Sequence, residues 1–177
     1  PGLEWHVVSS NQPIESYPHP LDVGLQTGHW PQQRFRVIEI NDDEIFPVCA
    51  PHHPLTRQPG VDAATLGGAV LLHQANLMRP WLDWLGFLEH FGVRLQAAPG
   101  SMHFSNYPDL LEAAEQGYGI ALGWGFSVAD RLRRGTLMRL TGLRVVLSPG
   151  LCAYLPTTAT ATPLVTGFLD WLRDTCG

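Results

Sequence analysis

Apolar residues are grouped along this chain in two kinds of run. The first kind is short and continuous. Trp5–Ser9, Leu21–Thr27, Val37–Ile40, Glu44–Ala50, Ala69–His73, Tyr118–Leu122, Leu137–Leu140, Leu143–Ser148 and Leu151–Leu155 are of this kind, and they predict strands. The second kind repeats every three to four positions. A short helical approach is predicted at Val61–Leu66. A longer helix is predicted at Pro80–Phe91, with Trp81, Trp84, Leu85 and Leu88 at helical spacing and Gly92 after its end. Leu110, Leu111 and Ala114 share one face of a helix that opens near Pro108 and stops at Gly117. Ser127–Arg134 forms another, stopped by Gly135. Pro163–Asp174 closes the chain, with Val165, Phe168, Leu169 and Leu172 on one side. Asn11–Pro20 carries Pro13, Pro18 and Pro20 and reads as a loop or broken helix. Pro51–Pro54 and Pro149-Gly150 read as turns.

Strands alternating with helices predict an α/β protein. Pro47 removes a ladder donor from Glu44–Ala50, which argues against a fully paired central strand and suits a strand crossing between lobes, where ladder partners change. Glu44–Pro51 and the region around Tyr154–Thr158 are the two expected crossings. His103–Leu140 reads as helix, strand, helix, strand, with loops at Ser105–Tyr107 and Gly123–Phe126. Ligands gather at such strand ends and helix N-termini. Ser105, Asn106 or Tyr107 is the expected cap, and free N–H groups there could hold a carboxylate. Asp109 already places a negative charge in the same first turn.

Composition narrows the class of function. The 177 residues are 45% hydrophobic and 15% charged, which marks one or two globular domains with a real core. The net charge of −5 gives no overall attraction to a phosphate backbone. Cys49, Cys152 and Cys176 form no CxxC pair and read as thiols of a reducing, cytoplasmic compartment. No apolar run is long enough to span a bilayer. His52, His53, His73, His90 and His103 lack metal-ligand spacing, so neither metal nor cofactor is expected. Ser127 is in no GxSxG elbow, and Gly123-x-Gly125 lacks the third glycine of a dinucleotide site. Asp42-Asp43-Glu44 reads as a solvated turn. Arg131, Arg133 and Arg134 suit a helix C-terminus better than they suit nucleic acid. Trp30, Phe104, Tyr107 and Trp124 fall on predicted loops, where ring faces suit either packing or a cationic ligand.

The ordered set LDVGLQTGHW, DEIFPVCAPHHPL, TLGGAVLLH, PWLDWLGFLEHFG, FSNYPDLLEAAEQGYGIALGW, ADRLRRGTLMRL and VTGFLDWL resembles the effector-binding domain of LysR-type transcriptional regulators over roughly residues 20–173. The resemblance implies an α/β, type II periplasmic-binding-protein-like fold, with two α/β lobes joined by two crossing strands and an effector in the cleft. Lobe I would comprise 1–46 and 157–177, and lobe II 47–156. The chain is expected to begin at the domain's second strand, leaving lobe I incomplete.

The resemblance places effector contacts at Ser10 and Asn11, Thr27 and Gly28, His73 and Gln74, Phe104, Ser105 and Asn106, and Gly123 and Trp124. The effector would be a small metabolite, an amino acid or a related compound. DNA would be contacted only through an N-terminal winged helix-turn-helix that this sequence does not contain. The full-length protein would be a homo-oligomer, with no membrane association and no catalysis. The alternatives are a solute-binding protein or an enzyme on the same two-lobed fold, for which Cys49 is the one cysteine placed near a crossing.

Overall fold

The computed structural model describes residues 4–10, 12–28, 30, 33–75, 82–96, 100–140, 142–158 and 162–176. Its spine is a pair of long antiparallel strands, β2 (Phe35–Cys49) and β7 (Val145–Pro156). They pair from Phe35↔Pro156 to Ile45↔Val145, with register shifts between Glu39 and Asn41 and between Asn41 and Asp43. β1 (Gly24–Thr27) pairs with the far end of β7, and β5 (Ala121–Trp124) with the last part of β2. β6 (Met138–Arg139) joins β2 at Val48 and Cys49.

Pro47 sits where the ladder changes hands. The β7 ladder ends at Ile45 and the β6 ladder starts at Val48, while the Pro47 carbonyl accepts from Leu140 N at 3.0 Å. A missing donor costs little at such a gap.

The other sheet is parallel and short. β3 (Leu72–Gln74) pairs with β4 (Met102–Phe104), and Leu71 bridges to Ile120 just before β5. Helices cover both faces. α1 (Ala63–Gly67) and α2 (Trp84–His90) pack with Ile45, Leu71, Ile120 and Leu122; α3 (Tyr107–Glu115) and α4 (Gly125–Arg134) pack with Phe46, Val48, Leu72 and Ala121. Alternate residues of β2 therefore serve opposite layers. At the other end of the spine, Phe35, Cys152 and Tyr154 pack against Ile14, while Ala153, Leu155 and Ile38 pack against α5 (Pro163–Cys176). Val165, Phe168, Leu169 and Leu172 form the apolar side of α5, as their spacing predicts.

Several expectations are corrected. Trp5–Ser9 is not a strand: the segment is exposed and lies in no ladder, with Trp5 62% and Val7 84% accessible. β-branched residues favour extended backbone, but a strand needs a partner, and none of the described strands lies against it. Val37–Ile40 and Glu44–Ala50 belong to one strand, so Asp42-Asp43-Glu44 is a strand segment and not a solvated turn. Leu143–Ser148 and Leu151–Leu155 likewise merge, and Pro149-Gly150 lies inside β7 instead of turning the chain. In both cases long pairing partners override the local breakers. The helix expected from Pro80 starts at Trp84 because Asp83 caps it, accepting from Gly86 N at 2.8 Å; Pro80 and Trp81 lie outside the described residues. The helix expected from Ser127 starts at Gly125. α3 starts at Tyr107, one residue before Pro108, with Asn106 as its cap, and ends in a Schellman closure through Gly117, whose φ is +84°.

Candidate functional site

Three predicted segments are linked by hydrogen bonds into one wall. Gln74 and Phe104 end neighbouring parallel strands, and Ala75 N donates to the Phe104 carbonyl at 2.7 Å. Asn106 caps α3, its Oδ1 accepting from Asp109 N at 2.9 Å and its Nδ2 donating to Asp109 Oδ2 at 2.7 Å. Ser105 is exposed beside it. The Tyr107 hydroxyl then donates to the Leu122 carbonyl and accepts from Trp124 N, both at 3.0 Å. Burial pushes its phenol pKa upward, so the hydroxyl stays protonated and keeps both bonds. Trp124 is half-buried and leads directly into α4. His73 and His103 stack across β3 and β4 with ring centroids 4.7 Å apart. Burial first, and then His103, lowers the His73 pKa and keeps that ring neutral at pH 7.

A second group forms at the end of β1. Gly28 has a φ of +83°, which glycine adopts without strain, and its N–H donates to the Gly150 carbonyl at 2.7 Å. The Tyr154 hydroxyl donates to the Gly28 carbonyl at 2.7 Å and accepts from Trp30 N at 3.0 Å, while Trp30 Nε1 donates to the Thr27 carbonyl at 3.3 Å. Ser10 makes a local turn, its hydroxyl accepting from Gln12 N at 3.1 Å. Asn11 lies outside the described residues.

The two groups meet where β2 crosses β7. A Cβ on Gly150 would lie 2.2 Å from Asp43 N, so these backbones pass in direct contact. Asp43 Oδ1 accepts from Glu44 N at 2.8 Å and from Phe126 N at 3.1 Å, which caps α4 from another element, since Trp124 provides no side-chain cap. Desolvation raises the Asp43 carboxyl pKa, and these amide bonds partly offset the rise. Glu44 beside it pairs with Arg139 at 2.8 Å and Arg144 at 3.3 Å. Arg139 also lies 3.8 Å over the Phe46 ring, a cation–π contact.

Gly123 lies deeper than the other predicted contacts. Gly123 is buried inside β5, and a Cβ there would lie 2.8 Å from Val48 Cγ1 and 3.2 Å from Val128 Cγ2. Its smallness brings β5 against β2 and α4. Asp43, Tyr107 and Tyr154 organise the walls, and their bridging roles have no sequence signal: each bond spans elements distant in the chain. Cys49 is buried, with its thiol pKa pushed up to about 11, so it is an unreactive core residue. Cys152 is buried too.

A separate open groove of about 500 Å³ lies at the opposite ends of α3 and α4, lined by His52, Glu112, Glu115, Gln116, Arg131 and Arg134. None of the predicted effector contacts borders it, and its charges are largely satisfied within the protein: Arg131 pairs with Glu115 at 3.4 Å and Arg134 with Asp130 at 2.8 Å. Among the described residues, no three His, Cys, Asp or Glu side chains converge as metal ligands, and no helix is long and apolar enough to cross a membrane.

Crossing strands, helices on both faces of a parallel sheet, and loops converging at the crossing define a periplasmic-binding-protein-like α/β ligand-binding domain. The chain belongs to the LysR substrate binding domain family, whose model matches residues 1–177; it is the effector-binding part of a LysR-type transcriptional regulator. It is similar to the effector domain of the transcriptional regulator AmpR of Pseudomonas aeruginosa, at 21% identity over 87% of this chain and 71% of that one, with a TM-score of 0.68. A Citrobacter freundii effector binding domain carrying three substitutions matches at 18% identity over 89% of this chain and 76% of that one, with a TM-score of 0.69. The regulatory domain of HypT from Salmonella typhimurium matches at 19% identity over 86% and 71%, with a TM-score of 0.58. No curated protein matches the chain by sequence.

Proposed function

We propose that a small metabolite binds between the two walls and that its binding selects one arrangement of the lobes. Lobe I comprises 1–46 and 157–177, lobe II comprises 47–156, and β2 is the strand that runs from one into the other. The contacts are Ser10, Asn11, Thr27 and Gly28 on one side and His73, Gln74, Phe104, Ser105, Asn106, Gly123 and Trp124 on the other. The observation that carries this reading is the convergence at the crossing. Gly28 is tied to Gly150, Gly150 lies against Asp43, and Asp43 holds the first turn of α4. A shift at either wall is therefore felt at the crossing. A ligand with different affinities for two arrangements biases the whole protein, whereas one that binds both equally switches nothing. The bias would pass to a DNA-binding part in a cytoplasmic homo-oligomer, and the domain would bind its metabolite without turning it over.

A thermal-shift screen of metabolites tests this. A stabilising ligand is expected, and Ser105→Ala or Thr27→Val should weaken its binding by about tenfold, the worth of a typical buried hydrogen bond. A tight ligand unaffected by either change would place the site elsewhere, and turnover of that ligand would overturn the binding-only reading.

A further inference from the structure

The turn after β1 holds an indole where its glycine has no side chain. Gly28 has a φ of +83°, and a Cβ built there would lie 2.7 Å from Trp30 Nε1 and 3.4 Å from Trp30 Cε2. The pyrrole edge of Trp30 therefore fills the space that a side chain at position 28 would take. Hydrogen bonds hold the residue there from two directions. Trp30 Nε1 donates to the Thr27 carbonyl at 3.3 Å, and Trp30 N donates to the Tyr154 hydroxyl at 3.0 Å. That hydroxyl donates in turn to the Gly28 carbonyl at 2.7 Å. Tyr154 is fully buried among Ile14, Phe35 and Cys152, so the anchor is part of the core at this end of the spine.

This docking changes what the lobe I wall offers to a bound molecule. Gly28 N is bonded to the Gly150 carbonyl, Gly28 O to Tyr154, and Thr27 O to Trp30 itself. An approach to Gly28 along its side-chain direction ends on the indole. Trp30 keeps 39% of its surface accessible although one edge is docked. Covering the rest of a ring that is already fixed gains apolar contact at little cost in conformational freedom. The opposite wall carries the half-buried rings of Phe104 and Trp124.

We infer that Trp30 is a specificity-determining contact of the cleft, and that the metabolite lays a planar ring against its indole. The inference rests on the cleft proposed above and adds a residue that the family resemblance does not place there. The Thr27–Gly28 backbone is the seat of the indole, and Tyr154 is its positioning residue. Offset-stacked and edge-to-face ring pairs gain from their quadrupoles as well as from buried area, so a planar ring is preferred to a saturated ring of the same size.

The experiment is fluorine NMR of the intact chain labelled with fluorotryptophan, titrated at pH 7 with phenol and with its saturated counterpart cyclohexanol. The Trp30 and Trp124 resonances are identified by their absence from the variants Trp30→Leu and Trp124→Phe. Phenol is expected to shift the Trp30 resonance saturably, and cyclohexanol to bind at least tenfold more weakly. Trp30→Leu, which keeps an apolar side chain, should weaken phenol binding about tenfold as read at Trp124, and Trp30→Phe, which keeps a ring, should recover most of that loss. Phenol that leaves the Trp30 resonance unmoved in the unaltered protein would overturn the inference, as would equal affinity for the two probes or undiminished phenol binding by Trp30→Leu. A metabolite from the thermal-shift screen separates the two readings. One that moves Trp124 but not Trp30 refutes the Trp30 contact alone. One that binds tightly and moves neither refutes the cleft.

Discussion

Asp43 and Glu44 are adjacent on β2 and respond to pH in opposite directions. Burial raises the Asp43 carboxyl above its ordinary 3.8, so the folded state holds that proton more tightly than the unfolded chain does. Its contribution to stability is present below pH 3.8 and is lost as pH rises through the raised value. The Arg139 hydrogen bond lowers the Glu44 carboxyl below its ordinary 4.5, so its contribution is present above that pH and is lost as pH falls through the lowered value. Urea unfolding between pH 3 and pH 7 should therefore show opposite trends. Asp43→Asn should improve relative to the unaltered protein as pH rises, and Glu44→Gln should worsen. Tyr107 gives a third residue-level test. Tyr107→Phe removes a partner from Leu122 O and Trp124 N together, at a cost of about 1–3 kcal/mol, and should speed exchange of the Trp124 amide. The sequence marks Tyr107 as an aromatic at a helix start, but its hydroxyl partners lie 15 and 17 residues away and appear only after folding.

Among the elements, the β2–β7 crossing carries the most constraint. Gly150 sits opposite the register shifts of β2, with the positions of Asp43 N and Cβ 2.2 and 2.4 Å from where its own Cβ would lie. Gly150→Ala must push two paired backbones apart, so it should cost about 3 kcal/mol in chemical denaturation, at the upper end for overpacking. Helix punctuation was the most legible feature at this scale. Gly117 and Gly135 stop helices in left-handed conformations, with φ of +84° and +72°, and Asn106 caps α3. Strand ends were the least legible. Pro47 and Pro149-Gly150 look like interruptions locally, yet each lies within a long strand, because pairing with a distant partner outweighs the local preference.

For the whole molecule, burial is uneven. The two ends of the β2–β7 spine are packed on both faces, whereas 4–10 is exposed, with the Trp5 ring 5.4 Å from that of Phe168 on α5. Hydrogen exchange should reflect this. Amides of residues 5–10 are expected to exchange within seconds to minutes at pH 7, and those of Ile45–Cys49 only through global opening, which requires several orders of magnitude longer. Protection of 5–10 comparable to the spine would show that the segment pairs in solution.

Hydropathy period, glycine and proline punctuation, and capping residues act within a few positions, and they determined the α/β class, the helices and most strand centres. The seven motifs, in order, determined the family. Only the tertiary structure decided that two pairs of short runs fuse into β2 and β7, that Trp5–Ser9 stays unpaired, and that Gly123 lies buried inside β5. It alone made Asp43 the cap of a helix 82 positions further along the chain, by arithmetic from Asp43 to Gly125. Each of these depends on which distant backbone arrives alongside, and local propensity carries no record of that encounter.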